Sequence, residues 1–156
     1  MNWRDNPVLL RVWRGVATVL VVTWMALIYL MSSRSGAEVD DALVALAWLG
    51  ALRNMLCHVV LYGGLSGLLL WCIWSWRPGE TRQRRWVLLA AVLALLYGLT
   101  DEYHQTFVPG RSANLKDIVM DGIGASVAVL TLYLLARRTS KAQPPGNSEV
   151  EPEPTP

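Results

Sequence analysis

Residues 86–105 read WVLLAAVLALLYGLTDEYHQ, and their length decides the fold. A helix confined to residues 86–100 covers only ~22 Å, more than a turn short of a bilayer core of ~30 Å. Continuing it through Asp101, Glu102, Tyr103, His104 and Gln105 supplies the missing length. That extension sets two carboxylates, an imidazole and an amide at the depth of one leaflet. Three more apolar stretches surround this one. Residues 15–31 carry no charge, residues 54–76 have His58 as their only ionisable group apart from Tyr62 and the cysteines, and residues 118–136 hold a single acid, Asp121. Each meets the roughly 17–25 residues a spanning helix needs. Of the 156 residues 53% are hydrophobic and 17% charged, against about 25% charged in soluble domains. The expected fold is all-α: an integral membrane bundle of about four transmembrane helices.

The first stretch also invites a signal-peptide reading, since Arg4, Arg11 and Arg14 precede it and Ser33-Arg34-Ser35 follows. Its apolar run exceeds the ~7–15 residues of a signal core, which favours a span. Residues 42–52 form a further apolar run, too short to cross. They read as an interfacial or re-entrant helix between the first two spans, after a solvated Glu38, Asp40 and Asp41. The division is an N-terminal segment 1–14, a transmembrane domain 15–136 and a disordered, proline-rich tail 137–156.

Arginine and lysine set the orientation. Arg4, Arg11, Arg14, Arg77, Arg82, Arg84, Arg85, Arg137, Arg138 and Lys141 fall on one side, while Arg34, Arg53, Arg111 and Lys116 fall on the other. Basic short loops stay cytoplasmic, so both termini are expected in the cytoplasm of a multi-pass plasma (inner) membrane protein. Trp71, Trp74, Trp76 and Trp86 gather at the cytoplasmic ends of spans two and three, as an interfacial belt would. Net charge is only +2, and the basic residues lie in separated clusters, which argues against a nucleic-acid partner. Cys57 and Cys72 sit ~22 Å apart along one helix, so they cannot bridge, and no zinc-type cysteine spacing exists.

In this topology the polar residues collect at the outer face. Tyr62 follows His58 by four positions; Asp101, His104 and Gln105 share i, i+3 and i+4; Asp117 and Asp121 are again four apart. Ionisable groups in spans cost about 2.5–3.5 kcal/mol at a helix centre, so this layer needs compensation from Arg111, Lys116, Arg53 and water. Gly63 and Gly67, with Gly124 and Ala128, would let the second and fourth spans approach closely. Plainer roles exist for each group. Asp117 suits a helix cap, His58 a hydrogen-bonded interior residue, and Ser33 and Ser35 backbone satisfaction at a helix end. The cluster 101–105 resists such a reading, because so many polar groups are a costly way to end a helix.

The stretch 100–111, TDEYHQTFVPGR, resembles the D-E-x-x-Q-x-F-x-P-x-R signature of the VanZ-like family. Asp117 and Asp121-Gly122-Ile123-Gly124 resemble its acidic residue and D-x-x-G element. Ser32-Ser33-Arg34-Ser35 resembles its S-S-x-S element, and His58, Tyr62 and Leu65 its H-x-x-x-Y-x-x-L element. The family's usual lysine three positions before the histidine is Met55 here. The resemblance implies a small multi-spanning envelope protein, linked through its name-giving member to teicoplanin-type glycopeptide susceptibility, and it supplies no reaction.

Two functions follow as expectations. In the first, an outer polar pocket of Ser33, Ser35, His58, Tyr62, Asp101, Glu102, Gln105, Arg111, Asp117 and Asp121 binds an envelope lipid, a lipid-linked cell-wall ligand or a membrane protein partner, with Asp101, Glu102 and Arg111 as its ionic centre. In the alternative, a hydrolase or transferase acts on a lipid-linked substrate, with His58 or His104 as general base oriented by Asp101, Glu102 or Asp121. No cofactor is assigned. A metal held by the histidines and carboxylates has no recognisable ligand spacing, so none is assigned either.

Overall fold

In the computed structural model, residues 6–77 and 83–141 are described. Arg4, Arg82 and the tail beyond Lys141 lie outside these residues, as do the orientation and disorder readings that rest on them. The elements are α1 (Pro7–Ser32), α2 (Gly36–Ala42), a 3-10 helix (Val44–Leu49), α3 (Ala51–Trp76), α4 (Arg84–Gln105) and α5 (Leu115–Lys141). No strand occurs among the described residues. The helices α1, α3, α4 and α5 are each long and apolar enough to cross a membrane.

Helix α4 ends at Gln105, where the length argument puts it. The other boundaries move outward. Asn6 caps α1 by accepting from the amides of Val8 and Leu9, with Pro7 as its first residue, so residues 7–14 continue the first span. Helix α5 likewise runs on past Ala136 to Lys141. The short helical element expected between the first two spans is present and comes in two parts. Ser35 and Glu38 form a reciprocal capping box, which starts α2 at Gly36 and places Glu38, Asp40 and Asp41 in a helix, where all three stay exposed to solvent. The apolar run after it forms a 3-10 helix with Val44 and Trp48 exposed. Gly50, at φ 53°, then turns the chain into α3.

The bundle is apolar on its outer surface as well as in its core. Val19, Val22, Leu30, Val60, Leu88 and Leu96 face outward, while Ser66, Ala94, Ala125 and Asp121 are buried. Apolar surroundings remove the hydrophobic drive between helices, so close backbone approach takes its place. Helix α3 is central, contacting α1, α4 and α5. A Cβ on Gly63 would sit 3.2 Å from the Gly124 carbonyl oxygen, and one on Gly124 would collide with the Val59 backbone. Gly63 and Gly124 therefore seat α3 on α5, as their small size predicts. Ser66 Oγ donates across the same seam to the Ala125 carbonyl (3.0 Å). Trp24 Nε1 donates to the Leu61 carbonyl (2.9 Å) and ties α1 to α3, its ring packed where a Cβ on Gly64 would fall.

Candidate functional site

One end of the bundle carries the C-terminal ends of α1 and α4 and the N-terminal ends of α3 and α5. The α3–α5 seam brings His58 beside Asp121, and His58 Nδ1–H donates to Asp121 Oδ1 at 2.8 Å. A carboxylate can only accept, so this bond fixes the proton on Nδ1 and turns Nε2 the other way. There it meets Asp117 Oδ2 at 4.0 Å. Asp121 is fully buried and its Oδ2 has no hydrogen-bond partner. Gly98 on α4 makes room for that oxygen, since a Cβ there would lie 2.7 Å from it. The Tyr62 ring stacks parallel to His58, with 6.2 Å between centroids.

Helix α4 supplies the other polar groups. Asp101 Oδ2 accepts from Gln105 Nε2 at 3.0 Å, one turn on. Glu102 is 2% exposed; its Oε2 accepts the Asn114 amide (2.7 Å), while its Oε1 has no partner. One nitrogen of His58 and one oxygen each from Glu102 and Asp117 lie within 4.8 Å of one another. These three could hold a metal ion.

Beside this cluster is a cavity of about 320 Å³. Its polar lining includes His58, Asp101, Gln105, Arg111, Asn114 and Asp117, and its apolar lining Ile28, Met31 and Leu61. The site thus unites His58, Tyr62, Asp101, Glu102, Gln105, Asp117 and Asp121, with Arg111 at the cavity wall. Other candidates lie elsewhere. His104 does not join Asp101 and Gln105. It packs on the Tyr29 ring (4.8 Å) and meets Ser33 Oγ at 3.1 Å. At about 100° per residue, positions 101, 102 and 105 share an arc that leaves 104 facing α1. Ser33 hydrogen-bonds the Tyr29 carbonyl, and Ser35 caps α2, so neither reaches the cavity.

The ionic centre also changes. Arg111 forms no ion pair with Asp101 or Glu102 among the described residues, and the buried acid with a close side-chain partner across helices is Asp121, hydrogen-bonded to His58. Arg53 binds Asp40 on α2, and Lys116 is exposed; neither compensates the buried acids. Outside the spans, Glu38 has its pKa held below the usual carboxylate range by hydrogen bonds from the Ser35 hydroxyl and amide.

Several contributors escaped the sequence reading. Asn114 starts α5, its side chain accepting from the Lys116 amide while its own amide holds Glu102. Its place after a Pro-Gly turn, ahead of an apolar run, was the available signal. Gly98 carried none.

A family model described as VanZ/LLP1 matches residues 17–136. That range contains every residue of the cluster. No curated protein and no solved structure matches the chain.

Proposed function

The chain belongs to the VanZ/LLP1 family of membrane proteins, and on that premise we propose that its cavity binds the polar head of an envelope amphiphile at the outer membrane face. The carrying observation is the two-sided lining of the cavity. Asp101, His58 and Arg111 offer both signs of charge, and Ile28, Met31 and Leu61 lie beside them. Such a wall suits a molecule with a hydrogen-bonding head and an acyl or prenyl stem, as lipid-linked cell-wall intermediates have. Placement on the outer face rests on the excess of arginine and lysine at the opposite end of the bundle.

Occupancy by such a ligand is the proposed route to altered teicoplanin-type susceptibility. Expression in a susceptible host tests it, with teicoplanin growth inhibition read at matched protein levels. Expression of the wild type raises the inhibitory concentration. Asp101→Ala and the cavity-filling Leu61→Trp abolish the rise, whereas His104→Ala, on the α1 side, retains it. Retention by Leu61→Trp overturns the proposal.

A second reading has its own observation. His58 is 2.8 Å from Asp121 and also lines the cavity, which is how a general base is oriented toward a substrate. In that reading the protein is a hydrolase or transferase acting on the bound head group, with His58 as base and Asp121 holding its tautomer. Turnover of a lipid-linked substrate that is lost in both His58→Ala and Asp121→Asn marks it. Binding without turnover returns the site to the first reading.

A further inference from the structure

We propose that His58 Nε2, Asp117 and Glu102 form a binding site for one divalent transition-metal ion at the wall of the cavity. Three observations converge on it. The first is the direction of the imidazole. With Nδ1–H committed to Asp121, Nε2 presents a lone pair to Asp117 Oδ2, 4.0 Å away. Two lone pairs repel, and the gap is too long for a hydrogen bond. An ion with bonds of about 2.0–2.2 Å to nitrogen and oxygen would bridge it by drawing the ligand atoms, now within 4.8 Å of one another, inward by several tenths of an ångström or more.

The second observation is Glu102. Its carboxylate is buried within this cluster, with Oε2 held by the Asn114 amide and Oε1 lacking any partner. A buried carboxylate oxygen left in that state is costly, and a cation relieves the cost directly. The third is charge. Glu102, Asp117 and Asp121 crowd around one imidazole, Arg53 is engaged with Asp40, and Arg111 forms no ion pair with them among the described residues. A doubly positive ion supplies the missing compensation.

The arrangement also has the outer layer that metal-bound histidines use. A carboxylate on the far ring nitrogen fixes the tautomer and strengthens the ligand, and Asp121 occupies that place. One imidazole with two carboxylates suits Zn²⁺ or Mn²⁺ rather than Ca²⁺ or Mg²⁺, which take oxygen ligands. Three protein ligands leave coordination positions for exchangeable groups, and His58 and Asp117 both line the cavity. The ion would therefore meet whatever oxygen-rich head group enters. It would also occupy the lone pair that the general-base reading needs, so the two roles of His58 exclude each other.

The test uses the full chain in phosphatidylcholine nanodiscs, titrated with Mn²⁺ alone and followed by electron paramagnetic resonance, with empty nanodiscs subtracted. The expected result is one Mn²⁺ per chain, displaced by Zn²⁺ and not by equimolar Ca²⁺. Glu102→Gln, Asp117→Asn and His58→Ala each weaken binding about tenfold or more, and Asp121→Asn weakens it about 10–100-fold through the ring it orients. Asp41→Asn, on the exposed face of α2, leaves binding unchanged. Circular dichroism melts separate lost binding from lost folding, and Glu102→Asp, which keeps the charge, binds better than Glu102→Gln. Absence of saturable Mn²⁺ binding overturns the proposal, as does binding that survives all three ligand substitutions. No cell-wall intermediate or glycopeptide is present in this titration, and its readout is the ion alone, so its failure is distinguishable from failure of the head-group proposal.

Discussion

The two ends of the bundle meet the same difficulty in opposite ways. At the end where α1 and α4 begin, cationic side chains lie along the helix surfaces. Arg14 donates to the Ser75 carbonyl (3.1 Å) and stacks over Trp76, while Arg85 lies over Trp86 and Arg137 over Tyr133. These are flexible groups anchored at an interface, satisfied by aromatic faces and helix-end carbonyls. At the other end, besides surface charges such as Lys116 and Asp41, three acids are buried: Asp101, Glu102 and Asp121. They are held between helices, and Ser32 Oγ, Glu102 Oε1 and Asp121 Oδ2 go without partners; the basic end has Trp74 Nε1 in that state. A spanning protein anchors itself with long surface side chains. Buried carboxyls in its interior are expensive, which is why they mark a site.

Glycine substitutions should divide the two ends most sharply. Gly124→Ala drives a methyl into the Val59 backbone and should cost about 1–3 kcal/mol or more, read as a large fall in melting temperature in detergent. Gly15→Ala, near the basic end with nothing within 4 Å of its Cβ, should leave melting unchanged or raise it slightly. Equal behaviour of the pair would dissolve the contrast.

Next in size is Asp121→Ala. It strands the buried His58 Nδ1–H and should destabilise by about 1–3 kcal/mol, measured in the same melt. Arg14→Ala removes one carbonyl hydrogen bond and one cation–ring contact near the surface. Its expected cost is about 1 kcal/mol. An Arg14 effect exceeding that of Asp121 would reverse the ranking of the two ends.

The smallest effect concerns α2. Because Glu38 has its pKa lowered by Ser35, its capping contribution is present above the ordinary carboxyl pKa of about 4.5 and is lost as pH falls through the lowered folded value. Backbone chemical shifts of α2 should therefore move toward coil on acidification in the wild type. In Glu38→Gln that acid-dependent step should be missing.

Residues 86–105 made the architecture legible, because membrane thickness is a ruler that sequence length can be held against. The same ruler extended α4 to Gln105 and brought Asp101 and Glu102 into the bundle. Gly63 and Gly124 pointed to the α3–α5 contact. What they could not give was register, and the His58–Asp121 bond depends on register alone: a pair 63 positions apart meets only when Gly124 seats against Val59. His104 misled because spacing of three and four residues defines a broad face, and the interior occupies only part of it. The capping box at Ser35 and Glu38 was written in the sequence as S-x-x-E and was overshadowed by the apolar run after it.

The central place of α3 has a consequence for how the protein is made. Helices α1 and α3 can lock through the Trp24–Leu61 hydrogen bond before α5 has left the ribosome. His58 must then wait in the bilayer until α5, the final span, delivers Asp117 and Asp121. Its acid partners come from the last part of the bundle to be translated, so the apolar scaffold precedes the chemistry it is built to house.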